Sequence, residues 1–191
     1  MNRRNCLKLI SAGFLAGVLG CRDDSRPAKR LYRFAYQQSN YLRPPGALPE
    51  TDFLQRCIHC DVCAEVCDRH AIQFFEEDFQ GIVTPHTPYI VAAEAACDLC
   101  LECTRVCPTG ALSPLNKMEE VKMGLAVLEE NLCLPYINQG GCGACYTVCP
   151  LNAVNLDMQR YPKVIDEKCV GCGLCEEVCL QKVKAIRIVK T

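Results

Sequence analysis

Sixteen cysteines recur in four groups of four, and no other feature limits so tightly what this chain can fold into. The first group is Cys57, Cys60, Cys63 and Cys67, the second Cys97, Cys100, Cys103 and Cys107, and the fourth Cys169, Cys172, Cys175 and Cys179. Each of these is spaced C-x2-C-x2-C-x3-C, while the third group, Cys133, Cys142, Cys145 and Cys149, widens only its first gap, to eight residues. A cubane 4Fe-4S cluster asks for one thiolate at each of its four iron corners. Three cysteines at i, i+3 and i+6 wrap a tight loop around three corners, with backbone amides turned toward the cluster sulfurs. The fourth cysteine is expected to start the following short helix, face away, and serve the neighbouring cluster.

Two other uses of cysteine compete with clusters. The chain holds 18 cysteines in 191 residues, a density within the roughly 8–10% range that marks a disulfide scaffold or a metal-rich fold. Cysteines separated by two residues rarely meet the distance and dihedral of a disulfide. Zinc favours paired C-x2-C motifs, whereas a triplet followed by a fourth cysteine is an iron-sulfur pattern. The chain also has no Trp and only six Phe, so it lacks the aromatics that fill an ordinary core, and inorganic clusters are expected to take that space.

Short apolar stretches repeat around the groups. Ala71-Ile72-Gln73-Phe74, Ala111-Leu112, Ala153-Val154-Asn155-Leu156 and Ala185-Ile186-Arg187-Ile188-Val189 follow them. Tyr89-Ile90-Val91, Leu125-Ala126-Val127-Leu128 and Lys163-Val164-Ile165 precede three of them. Their length and β-branched content read as strands. The fold class is therefore α+β: two tandem bacterial-type ferredoxin units, each with two clusters. Nineteen residues separate Cys149 from Cys169, enough for a strand, a turn near Arg160 to Pro162 and a returning strand, so groups three and four pair. A longer hairpin through Gly81, Pro85 and Pro88 pairs groups one and two.

This gives four cluster sites. The first takes Cys57, Cys60, Cys63 and Cys107, and the second Cys97, Cys100, Cys103 and Cys67. The third takes Cys133, Cys142, Cys145 and Cys179, and the fourth Cys169, Cys172, Cys175 and Cys149. A nested arrangement, group one with four and two with three, stays open. Pro108 and Pro150 follow a fourth cysteine and suit a helical first turn; Asp68 and Leu180 stand there in the other groups. Gly141, Gly143, Gly171 and Gly173 allow close backbone approach to a cluster. His59, His70 and His86 read as solvated loop residues.

The N-terminus reads as an address. Residues 1–21 carry a short basic stretch, an apolar run from Leu9 to Leu19 and small residues before Cys21. The run is shorter than the about 20 apolar residues a membrane span needs. Asn2-Arg3-Arg4-Asn5-Cys6-Leu7-Lys8 resembles a twin-arginine export signal, with Cys6 where an aromatic usually stands. Val18-Leu19-Gly20-Cys21 resembles a lipoprotein cleavage box, which makes Cys21 the candidate lipidation site, with simple cleavage and a retained anchor as alternatives. Residues 22–49 are basic and proline-bearing and read as a tether. The ferredoxin units are then expected at 50–115 and 116–191. Residues 44–191 hold twelve basic and twenty acidic residues, an acidic body that argues against nucleic acid and suits a partner with a basic patch.

From Leu48 onward the chain resembles the NapG/MauM family of exported ferredoxin-type proteins. The resemblance rests on the order of the four groups, Thr87-Pro88-Tyr89, Cys107-Pro108-Thr109-Gly110-Ala111-Leu112, Met123-Gly124-Leu125-Ala126-Val127-Leu128 and the wide gap in group three. It implies a periplasmic protein with four 4Fe-4S clusters, attached to the cytoplasmic membrane. It also implies a membrane-bound quinol-oxidising partner and a periplasmic acceptor, a reductase or dehydrogenase. No paired carboxylate, nucleophile constellation or phosphate loop suggests catalysis by the chain itself. A maturation or redox-sensing role is the alternative to an electron relay.

Overall fold

The apolar stretches beside the cysteine groups are where the strands form. The structure, a computed structural model, describes residues 41–75 and 85–190. The stretches read as an export signal and as a lipid box with Cys21, most of the stretch read as a tether, and Gly81 lie outside the described residues. Within them run α1 (Glu50–Arg56), α2 (Val62–Glu65), β1 (Ile72–Phe74), β2 (Pro88–Ile90) and α3 (Glu102–Arg105). There follow β3 (Leu125–Leu128), α4 (Ala144–Val148), β4 (Val154–Asp157), β5 (Tyr161–Val164), α5 (Leu174–Glu177) and β6 (Ile186–Val189).

Three antiparallel pairs give the ferredoxin plan. β1 pairs with β2, with Ile72 opposite Ile90. β4 pairs with β5 as the hairpin between groups three and four, with Val154 opposite Val164. β3, which precedes group three, pairs with β6, which follows group four, with Leu125 opposite Val189. Alternation explains the facing of β6: Ile186 and Ile188 are buried while Arg187 and Val189 are not, the period of two that turns one face inward. In the first half the matching outer pair is reduced to a single bridge, Ala47 to Leu112. The described residues belong to one unit, Ala35–Thr191, and one core runs through both halves, from Leu42 and Phe53 to Ile186 and Ile188.

Three local expectations are corrected. The short helices hold the third cysteine of each group, Cys63, Cys103, Cys145 and Cys175, and the fourth follows the helix instead of starting it. In the three regularly spaced groups the residue before the helix is left-handed, Asp61, Leu101 or Gly173, and that turn starts the helix one residue before the third cysteine. Pro108 and Pro150 accordingly stand in turns after a helix. Gly110 N–H returns to Cys107 O at 3.5 Å and Asn152 N–H to Cys149 O at 3.3 Å, so each proline takes the second turn position, which its fixed φ favours. The β4–β5 turn falls at Met158 and Gln159, both at positive φ, earlier than expected. Such φ values match the right-handed twist of the strands they join.

Helix α1 had no counterpart in the strand-and-cluster reading. Its signals are Pro49 ahead of it, Glu50 and Asp52 in its first turn and Arg56 in its last, the charge order that the helix dipole favours. It buries Phe53 completely. Residues 41–49, the end of the stretch read as a tether, pack into the fold: Leu42 is 1% and Arg43 5% exposed. The Arg43 guanidinium lies 4.6 Å from the Phe53 ring centre, donates to Pro88 O at 2.7 Å and pairs with Glu50.

Candidate metal centres

The structure brings the sixteen cysteines together in four sets, each around a cavity. Cys57, Cys60, Cys63 and Cys107 line the first, with Phe53, Phe74 and Leu112, at about 380 Å³. Cys67, Cys97, Cys100 and Cys103 line the second, with Ile72 and Ile90, at about 310 Å³. Cys133, Cys142, Cys145 and Cys179 line the third, with Leu128 and Ile186, at about 380 Å³. Cys149, Cys169, Cys172 and Cys175 line the fourth, with Val154 and Ile188, at about 360 Å³. In each set the fourth cysteine of one group meets the first three of its neighbour. Four sets of four thiols suit four copies of one cofactor, and none of these cysteines is in a disulfide. Among the described residues no three His, Cys, Asp or Glu converge on a single-ion site; the thiols stand around a volume.

The loops are shaped to point main-chain N–H groups inward. In the first group His59 and Asp61 have positive φ, in the second Leu99 and Leu101, and in the fourth Gly171 and Gly173. These positions flank the second cysteine on either side. Alternation of right- and left-handed residues makes adjacent N–H groups converge into an anion-binding nest. Leu99 N–H lies 3.4 Å from Cys97 Sγ. The turns after the fourth cysteines act likewise: Leu112 N–H is 3.4 Å from Cys107 Sγ and Ala153 N–H 3.2 Å from Cys149 Sγ. Across the second half, Ala126 N–H in β3 reaches Cys169 Sγ at 3.4 Å. Such donors stabilise negative charge on ligand sulfur and tune a cluster's potential.

Protein neighbours by themselves require glycine at two of the four positions that sequence singled out. A Cβ on Gly171 would stand 2.4 Å from the backbone of Gly124, and one on Gly173 2.3 Å from the Ala92 Cβ. Gly141 faces open space and Gly143 meets only Leu156, at 3.8 Å. The wide gap of group three thus carries its loop to the cavity without the crowding that the fourth loop has. His59, His70 and His86 are exposed, and all three have positive φ.

The thiols fit a cationic cofactor. Burial, then the charge of Cys57 and Cys60, pushes the Cys63 thiol up to about 12. Burial pushes Cys97 up to about 12 and Cys145 up to about 11, and drives Cys103 and Cys175 up as well. Cys107 is the exception: burial raises it, but hydrogen bonds from Leu112 N–H and from Thr109 outweigh that and leave it lowered. Four thiolates gathered around one cavity, at least one of them buried in three of the four sets, repel one another unless positive charge shares the cavity, and iron would supply that charge. Burial raises the Cys57 thiol, and the charge of Arg43 is among the effects that oppose the rise; sequence reasoning did not identify Arg43, which lies in the stretch read as a tether and is marked by no motif.

Comparison with known proteins agrees with this chemistry. Two family models, each described as a 4Fe-4S dicluster domain, match residues 56–133 and 126–188, and two dicluster domains imply four 4Fe-4S clusters. The methylamine utilization ferredoxin-type protein MauM of Methylorubrum extorquens is 38% identical over 79% of this chain and 73% of its own length. The ferredoxin-type protein NapG of Escherichia coli is 34% identical over 77% of this chain and 69% of its own. NapG of Haemophilus influenzae is 34% identical over 97% of this chain and 71% of its own.

Proposed function

The chain belongs to the MauM and NapG family of ferredoxin-type proteins, and on that premise we propose that it relays electrons between two protein partners on the periplasmic side of the cytoplasmic membrane. The donor is a membrane-bound quinol-oxidising protein, with which the chain forms part of a quinol dehydrogenase. The acceptor is a periplasmic reductase or dehydrogenase. The observation that carries this reading is the gathering of sixteen cysteines into four crossed sets of four.

In this reading residues 50–115 hold the first pair of clusters and 116–191 the second. Cys57, Cys60, Cys63 and Cys107 are the iron ligands of the first site, and Cys97, Cys100, Cys103 and Cys67 those of the second. Cys133, Cys142, Cys145 and Cys179 serve the third, and Cys169, Cys172, Cys175 and Cys149 the fourth. A bound cluster supplies one-electron chemistry. The chain's own residues hold it by sulfur, direct N–H groups at its ligands and wall it with apolar side chains such as Phe53, Ile90 and Ile188.

Export and cofactor support each other. Clusters are built in a reducing compartment, and bare thiols in an oxidising one are lost to disulfides. A chain that crosses already folded suits the twin-arginine signal at Arg3 and Arg4. Attachment by lipid at Cys21 or by a retained signal follows, and among the described residues no helix is long and apolar enough to cross a membrane.

Anaerobic purification with iron and sulfide analysis tests the reading, followed by electron paramagnetic resonance during redox titration. About sixteen irons per chain are expected, four per cluster, with signals that a quinol-oxidising membrane fraction reduces. Colourless protein with its sulfurs joined in pairs would overturn it. Full iron content that the quinol system leaves untouched would favour the sensing role instead.

A further inference from the structure

We infer that the contact between the second and fourth cysteine loops is a built joint, which makes the second and fourth sites the inner pair of the molecule and leaves the first and third as the outer pair. The inference rests on the four-cluster reading and adds an order to it.

Three features meet at this contact. Cys97 N–H donates to Cys172 O at 3.0 Å, so a residue that lines the second cavity is joined by main chain to one that lines the fourth. Gly173, next to Cys172, lies so close to Ala92 that a Cβ would come within 2.3 Å of the Ala92 Cβ and 3.5 Å of the Ala96 Cβ. Only small residues on both sides permit that approach. A clamp closes the edge: the Glu177 carboxylate accepts from Arg69 at 2.6 Å and from Ala96 N–H at 3.4 Å. Arg69 follows Cys67 by two residues, Ala96 precedes Cys97, and Glu177 follows Cys175 by two. Every member of the clamp is therefore chained to a cysteine of the inner pair.

The outer sites are bordered differently. Ile58 beside the first cavity is 61% exposed and Leu180 beside the third 72%, so these two sites carry apolar side chains in solvent where the inner two carry a joint. Electronic coupling between redox centres falls steeply with separation. A main-chain hydrogen bond between two ligand-bearing loops is a short bridge, and Ala92, Gly173 and Glu177 act as positioning residues that hold its length.

The test uses the iron-loaded full chain and reads spin–spin interaction by electron paramagnetic resonance after full reduction. Ala92→Leu wedges the joint and Glu177→Ala removes the clamp. Both are expected to keep the wild-type iron content and the interactions within each half, and to lose the interaction across the joint. Met158→Ala, at the exposed tip of the β4–β5 hairpin, is expected to change nothing. An unchanged reduced spectrum in both joint variants at full iron overturns the inference, as does an equal change in the Met158 variant. Should Ala92→Leu fail to load iron, Glu177→Ala decides by the same readout. A wild-type chain short of iron would instead overturn the four-cluster reading itself.

Discussion

The two halves present the same ligand pattern on unequal frames. The second half has two four-residue ladders, β3 with β6 and β4 with β5. The first has one ladder of three residues, β1 with β2, and isolated bridges at Leu42–Ile90 and Ala47–Leu112. Where strand pairing is short, a side-chain knot takes over: Arg43 is stacked on Phe53 and bonded to Glu50 and Pro88. The loops differ in the same way. The fourth loop places Gly171 and Gly173 at the left-handed positions, while the first half places His59, Asp61, Leu99 and Leu101 there. A leucine in that conformation costs roughly 1–2 kcal/mol. Leu99 and Leu101 are 1% and 4% exposed, and burying each returns about 1.5–3 kcal/mol. The turn geometry is what the cysteine loop demands, and packing decides which residue can supply it.

The largest contrast should come from exchanging loop residues. Gly171→Ala drives a Cβ into the backbone of Gly124 at a φ of +75°. Overpacking of about 1–3 kcal/mol and a left-handed penalty of about 1 kcal/mol together predict a loss of roughly 3 kcal/mol in anaerobic denaturant unfolding. Asp61→Gly, at a φ of 61°, should shift stability by less than about 0.5 kcal/mol, because relieved strain and the freer unfolded chain offset each other. Equal losses would erase the distinction between the loops.

A smaller contrast separates the two frames. Arg43→Ala strips the knot and leaves Pro88 O without its donor, for an expected loss of about 2 kcal/mol. Arg187→Ala breaks a pair with Glu129 whose side chains are 42% and 40% exposed, and should cost under about 1 kcal/mol. Comparable losses in thermal melts would show that the knot is no more than a surface pair.

The smallest effect is one of pH. Burial raises the Glu50 carboxyl, but hydrogen bonds and charge from Arg43 and Lys190 overcome it and leave the pKa lowered. A carboxyl lowered on folding stabilises fully above its unfolded pKa and loses that contribution as pH falls through the folded value. Glu50→Gln should therefore flatten the acid limb of a stability-against-pH curve measured in urea. Acid limbs that run parallel in the two proteins would remove Glu50 from the account of the first half.

Much of the fold was legible because cluster ligation imposes a spacing that local sequence must keep. The strands at Ile72–Phe74, Leu125–Leu128, Val154–Asp157 and Ile186–Val189 carry alternation or β-branched runs beside the cysteines. The two hairpins followed from linker length. Helix placement was less legible: an i, i+3, i+6 run does not say which cysteine a four-residue helix will hold, and the left-handed residue before it, Asp61 or Leu101, carries no glycine to announce it. At Gly141 and Gly143 no protein atom crowds the chain, in contrast to Gly171 and Gly173. Arg43 left no trace, because its burial depends on Phe53 and Pro88, brought to it from elsewhere in the chain.

By itself the sequence determined the number of cysteine groups, the dicluster plan of each half and the 4Fe-4S chemistry, since thiol count and spacing are properties of the covalent chain. Tertiary structure alone decided that the second and fourth loops touch, through Cys97 and Cys172, and that Arg43 stands in for missing strand pairs. Both depend on contacts between residues far apart along the chain, and those form only when the halves pack into one core.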